Sequence, residues 1–145
     1  MIFENTLNRG SVAVMEKMMA FTEERHKVLA NNLANIDVVG YKMEDLASES
    51  FSDTLFKAAE NRKNRGTSAR LSIDNSSDHS YDKFGHLKVR KHQIKSENIL
   101  FHDNNNRFVE KEFVKMSKNS GKHRMVSELL RQQYSVLQTA ISGRV

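Results

Sequence analysis

An all-α fold in the main, with two long terminal amphipathic helices forming a coiled-coil hairpin around a short helix and a flexible middle segment with room for β-structure, is predicted by three observations. Apolar residues recur at alternating steps of three and four near both ends of the chain. Proline is absent, where about seven would be expected at ordinary usage, so long helices are spared the residue that most reliably breaks them. A chain of 145 residues with 38 % hydrophobic content has room for one domain with a modest core.

The first helix is predicted from Ser11 to Asn35, where Val12, Met15, Met19, Thr22, His26, Leu29, Leu33 and Ile36 form one seam. At 1.5 Å per residue it would be roughly 37 Å long, with Glu16, Glu23, Glu24, Arg25 and Lys27 mostly off the seam and Gly40 past its end. Phe51, Leu55, Ala58 and Ala59, following Ser48 and Ser50, predict a short amphipathic helix. Asn61 to His79 is rich in Asn, Ser, Arg and Lys and reads as loop or disorder. From Tyr81 to Phe101 the sparse alternation of Leu87, Val89 and Ile94, with Gly85 as a turn signal, predicts a hairpin.

The last helix carries the longer seam: Val109, Phe113, Met116, Ser120, His123, Ser127, Leu130, Tyr134, Leu137 and Ile141. Asp103 or one of Asn104 to Asn106 suits its N-cap, Glu110 and Glu112 its positive end, and Gly143 with Arg144 its close. Gly121 weakens it by about 1 kcal/mol against alanine. The chain thus divides into 1–42, 43–107 and 108–145. An amphipathic helix buries its stripe only against a partner. Paired antiparallel, these two would bring the polar Thr22 and His26 near Ser120 to Ser127, fixing the register at a cost in stability.

No apolar run approaches the roughly 18 residues of a membrane span, and no cleavable signal layout opens the chain, which argues against the general secretory route. The absence of cysteine excludes disulfides, thiolate catalysis and zinc fingers. None of the six histidines has the i, i+4 spacing of a helical metal pair, so no metal or cofactor is expected. Asp103-x-Asn105-x-Arg107 opens like a calcium loop, but Phe108 and Val114 stand at the glycine and closing-glutamate positions. No phosphate loop, nucleophile elbow or pocketed carboxylate pair is found, so no enzyme, no catalytic residue and no small-molecule ligand are expected.

The net charge of +5 is unevenly spread, acidic over residues 1 to 56 and basic from Lys57 to Lys95 and again from Arg107. The clusters Arg62-Lys63 and Lys88-Val89-Arg90-Lys91 make a small basic helical nucleic-acid-binding protein the alternative reading. A solvated face accounts for them better, since only Tyr81 and Phe84 supply rings there and no recognition helix is laid out.

Ala30-Asn31-Asn32-Leu33-Ala34-Asn35, followed by Gly40-Tyr41-Lys42, resembles the N-terminal signature of the bacterial flagellar rod, hook and hook-associated axial proteins. Val38-Val39 stand where that signature has Thr-Pro, which removes a stiff turn residue. Asp103 to Asn106, leading through Val109-Glu110-Lys111-Glu112, extends the likeness to the second end, toward the proximal rod members. The resemblance implies a structural subunit of the flagellar basal body rod, exported by the flagellar type III apparatus and located in the periplasm. Implied partners are further copies, other rod proteins, the rod–basal-ring adaptor and the export gate, the last contacted through the Phe3-x-x-x-Leu7 element. Subunit packing is then expected at Met15, Met19, Leu29, Leu33, Phe113, Met116, Leu130 and Leu137, with the signature from Leu29 to Lys42 at subunit contacts.

Overall fold

Two helices carry most of the architecture. The computed structural model describes residues 11–65, 71–83, 86–94 and 109–143. Helix α1 spans Ser11–Ala34 and strand β1 Glu44–Leu46; helix α2 spans Ser48–Arg65. Strands β2 (His79–Tyr81), β3 (Leu87–Val89) and β4 (Lys91–Gln93) follow, and helix α3 runs from Val109 to Ser142. The expected cap at Asp103 to Asn106 and the Phe3 and Leu7 pair lie outside the described residues.

Helix α1 stops where its asparagines offer the backbone other partners. Asn35 closes the last turn through its backbone N–H to the Asn31 carbonyl at 3.2 Å, and its side chain donates to the same oxygen at 2.8 Å. Gly40, at φ 78°, takes the left-handed conformation that turns the chain back. Helix α2 buries Phe51, Leu55 and Ala58 at i, i+4 and i+7, with Glu49 at its positive end and Arg62, Lys63 and Arg65 at its negative end. It runs to Arg65, so residues 61–65, expected as loop, are helical; residues 71–78 have no regular structure.

The expected hairpin forms earlier in the chain. Strand β2 pairs with β3 antiparallel, His79 opposite Val89 and Tyr81 opposite Leu87. Ile94 belongs to no second strand of that hairpin; β4 instead crosses to β1, Glu44 opposite Gln93 and Leu46 opposite Lys91. Gly85 lies outside the described residues.

The apolar core is not the helix seam alone. Phe21, Val28, Leu46, Phe51 and Leu55 form one buried cluster, covered by Val14, Met18, Leu71, Ile73, Leu87 and Val89. Phe21 and Phe51 stack with centroids 4.2 Å apart, and His79 meets Phe51 edge-on at 5.3 Å. Helix α1 therefore buries two adjoining stripes, one under α3 and one under α2 and the β2–β3 hairpin. Helix α3 lies antiparallel along the first stripe, since Glu112 meets Asn32, His123 meets Thr22 and Tyr134 meets Glu16. Its buried positions are Glu112, Asn119 and Leu130. The seam is thus rotated by one residue over part of its length: Glu112 and Asn119 hold places expected for Phe113 and Ser120.

Candidate functional site

The foot of the helix pair gathers the chain's densest polar structure. Asn32 is fully buried, at 0 % exposure. Its amide nitrogen donates to the Glu44 carbonyl at 2.6 Å and to Glu112 Oε2 at 3.0 Å. Its oxygen accepts from the Glu44 N–H at 3.0 Å and from the Tyr41 hydroxyl at 3.2 Å. Both donors and both lone pairs of the amide are used, which is how a buried asparagine avoids the cost of an unmade bond. The Tyr41 oxygen in turn accepts from Asn31 Nδ2 at 2.9 Å, and Asn31 Oδ1 accepts from Asn35 Nδ2 at 3.1 Å. Donation therefore runs in one direction, from Asn35 through Asn31 and Tyr41 to Asn32.

Charged groups close a second ring beside it. Glu112, buried at 4 % exposure, accepts from Lys115 Nζ at 2.7 Å as well as from Asn32. Lys115 lies 3.5 Å from Asp45, which Arg25 grips through Nε at 2.9 Å and a terminal nitrogen at 3.0 Å. The Leu46 N–H adds a bond to Asp45 at 2.8 Å. Burial pulls the Asp45 carboxyl upward, but the Arg25 fork, its charge, the Leu46 N–H and Lys115 together outweigh it and hold the group below its usual range. Two residues from each of α1, β1 and α3 meet here. Burying these charges is tolerable because each is paired and hydrogen-bonded.

A second polar layer sits midway along the pair. Asn119 Nδ2 donates to the Thr22 carbonyl at 2.8 Å, both residues being buried. The Thr22 hydroxyl donates to the Met19 carbonyl at 2.9 Å, so its 2.9 Å contact with His123 Nδ1 requires the proton to come from the imidazole. Beside it opens a cleft of about 420 Å³ lined by Glu23, His26, Ser120, His123, Arg124 and Ser127. The register expected from the polar interruptions, Thr22 and His26 near Ser120 to Ser127, is the one observed. Among the described residues no three histidine or carboxylate side chains stand together as a metal's ligands would.

The residues singled out from sequence divide by place. Asn31, Asn32, Asn35 and Tyr41 come together as above; Gly40 supplies the turn, Ala30 is half-buried, and Ala34 and Lys42 face solvent. Leu29 and Leu130 are buried inside the chain's own fold, Met15, Met19, Leu33, Met116 and Leu137 are half-buried, and Phe113 stands out at 53 % exposure. Sequence reasoning missed Arg25, Asp45, Glu112 and Asn119 as site residues. The seven-residue step from Glu112 to Asn119 was a usable signal, hidden because a seam is sought among apolar residues.

No curated protein matches the chain. Residues 20–42, the second half of α1 through the turn to Lys42, match the family model described as flagella basal body rod protein. The matched stretch holds every signature residue of the polar cluster, and this similarity supports a structural role in the rod of the flagellar basal body.

Proposed function

We propose that the chain is a structural subunit of the proximal part of the flagellar rod, resembling the proximal rod protein FlgB, and that it self-assembles through its terminal helices into the axial drive shaft. The observation that carries this reading is the coincidence of the family match at residues 20–42 with the cluster that fastens α3 to α1. A shaft that transmits torque needs long helices held in one register, and two buried polar layers supply it: each pairs correctly in one alignment of the helices only. The exposed Phe113 and the half-buried Met15, Met19, Leu33, Met116 and Leu137 leave apolar surface for neighbouring copies and for other rod proteins. Interfaces between unlike surfaces generate an open helical stack. Export through the type III gate by way of Phe3 and Leu7, passage to the periplasm and contact with the rod–basal-ring adaptor belong to the same proposal.

Deletion of the gene, electron microscopy of purified basal bodies and a swimming assay test it. Loss of the rod and of swimming, both restored by the wild-type copy, is the expected result; intact basal bodies overturn it. Leu33→Asp, at a half-buried position within the signature, is expected to abolish swimming while the protein is still made. Normal swimming in that strain would remove Leu33 from the packing surface.

A further inference from the structure

The cleft midway along the helix pair is lined by one imidazole from each helix, His26 of α1 and His123 of α3. The Thr22 hydroxyl spends its proton on the Met19 carbonyl at 2.9 Å, so His123 donates from Nδ1 to the Thr22 oxygen, also at 2.9 Å. That bond fixes the tautomer: in the neutral ring Nε2 carries a lone pair. An imidazole clamped through one nitrogen by an oxygen of the protein, with the other nitrogen left as a base, is oriented as metal-ligating histidines are. Helical side chains lean toward the N-terminus of their own helix. Thr22 lies beside both Asn119 and His123 in this antiparallel pair. His26 therefore leans toward the level of Thr22 and His123 toward the level of Asn119, which inclines the two rings toward each other. His123 is half-buried and held; His26 is exposed and can change rotamer to meet it.

We infer that His26 and His123 together bind one divalent ion of the late transition series, the copper, nickel and zinc class that imidazole suits, His123 through Nε2. Among the described residues no three histidine or carboxylate groups stand together, so the protein supplies two ligands and water the rest, and the site is weaker than a closed four-ligand one. Glu23, on the cleft wall, is already paired with Lys27 at 3.3 Å and is not counted as a ligand. Arg124, exposed on the same wall, opposes the ion's charge from solvent, where screening is strong. A bound ion ties α1 to α3 at the middle polar layer and so stabilises the folded chain. The site does not depend on the rod reading. Spacing along the sequence conceals it, because a helical histidine pair is sought at i, i+4 within one helix and these two meet only across the pair.

Calorimetric titration of the full, untagged chain with copper(II) chloride at neutral pH tests this, with electron paramagnetic resonance of the product and urea unfolding with and without the ion. The wild type is expected to take one ion per chain, to show splitting from two imidazole nitrogens, and to unfold at a higher urea midpoint with copper present. His26→Gln and His123→Gln are each expected to weaken binding by about tenfold or more and to abolish the rise in midpoint. Circular dichroism checks that helix content is kept, and because His26 is exposed, its variant decides the matter even where His123→Gln disturbs the fold. The control is His86→Gln with His92→Gln, both exposed and outside the helix pair, which is expected to leave binding unchanged. Absence of saturable binding overturns the inference. So does binding that survives His26→Gln, and so does binding lost in the control, which would place the ion on the strands.

Discussion

Asn32 shows how one side chain can serve three elements. Its amide spans Glu44 of β1 and Glu112 of α3 while accepting from Tyr41. Asn32→Asp removes both N–H donors and sets a carboxylate against a buried one, so a loss of about 2–4 kcal/mol is expected in urea unfolding. Glu112→Gln in the same chain should recover part of it, and a double-mutant cycle without coupling would show that the two do not act together. Asn31, Asn35 and Tyr41 were legible through the signature by which the chain resembles the flagellar axial proteins, a short motif lying at one helix end. Glu112 was not, since its partner is 80 residues away and a lone glutamate in a helix ordinarily signals solvent.

Tyr81 presents the reverse situation. Its hydroxyl is buried with no partner among the described residues, while Lys17 Nζ lies 4.3 Å from its ring centroid. Burial pushes the phenol up to about 12. Tyr134 is raised by its bond to Glu16 and Tyr41 by burial, so ultraviolet titration should find every phenol above the usual value near ~10. The stability linked to Tyr81 is complete below that value and is lost as pH climbs through about 12. Tyr81→Phe keeps the ring over Lys17 and deletes an unpaired hydroxyl, so the melting temperature should hold or rise. A fall equivalent to more than about 1 kcal/mol would mean that the hydroxyl has a partner.

At the scale of elements, the C-terminal end of α1 was readable to within a residue because asparagines and a glycine mark its stop locally. The rotation of the α3 seam was not, because positions 112 and 119 are filled by residues whose burial depends on α1 being there to receive them. Phe21 and Phe51 fall outside any end-to-end seam, so the hold of α2 and the hairpin on α1 comes from contacts with no local periodic trace. Gly121 is the weak point of α3. A Cβ built there meets open space, so Gly121→Ala is expected to stabilise the chain by about 1 kcal/mol, read as a higher urea midpoint. A lower midpoint would show that α3 depends on bending at that position.

At the scale of the molecule, the acidic first third and the basic remainder meet at Asp45, where Arg25 and Lys115 converge from two helices. A carboxylate held low in the folded chain gives stability that is complete above its unfolded value near ~3.9 and is lost as pH falls through the lower folded value. The urea midpoint should therefore drop between about pH 5 and pH 2, and Asp45→Asn should flatten that drop while lowering the plateau. An unchanged slope in the variant would place the acid sensitivity elsewhere. Asp78, half-buried and held low chiefly by the bond from Ser50, shares the direction.

The bonds between Asn32 and Glu44 also decide what this protein avoids. Strand β1 pairs with β4 on one side, and just beyond that ladder the Ile94 N–H donates to the Met43 carbonyl at 2.9 Å. On its other side the N–H and C=O of Glu44 are taken by a side-chain amide shaped like a peptide group, and the Leu46 N–H by Asp45. Helix α1 thus stands in for the missing neighbouring strand. An exposed sheet edge invites a stray strand from another chain and begins aggregation; along this side of β1 a side-chain amide withdraws that invitation.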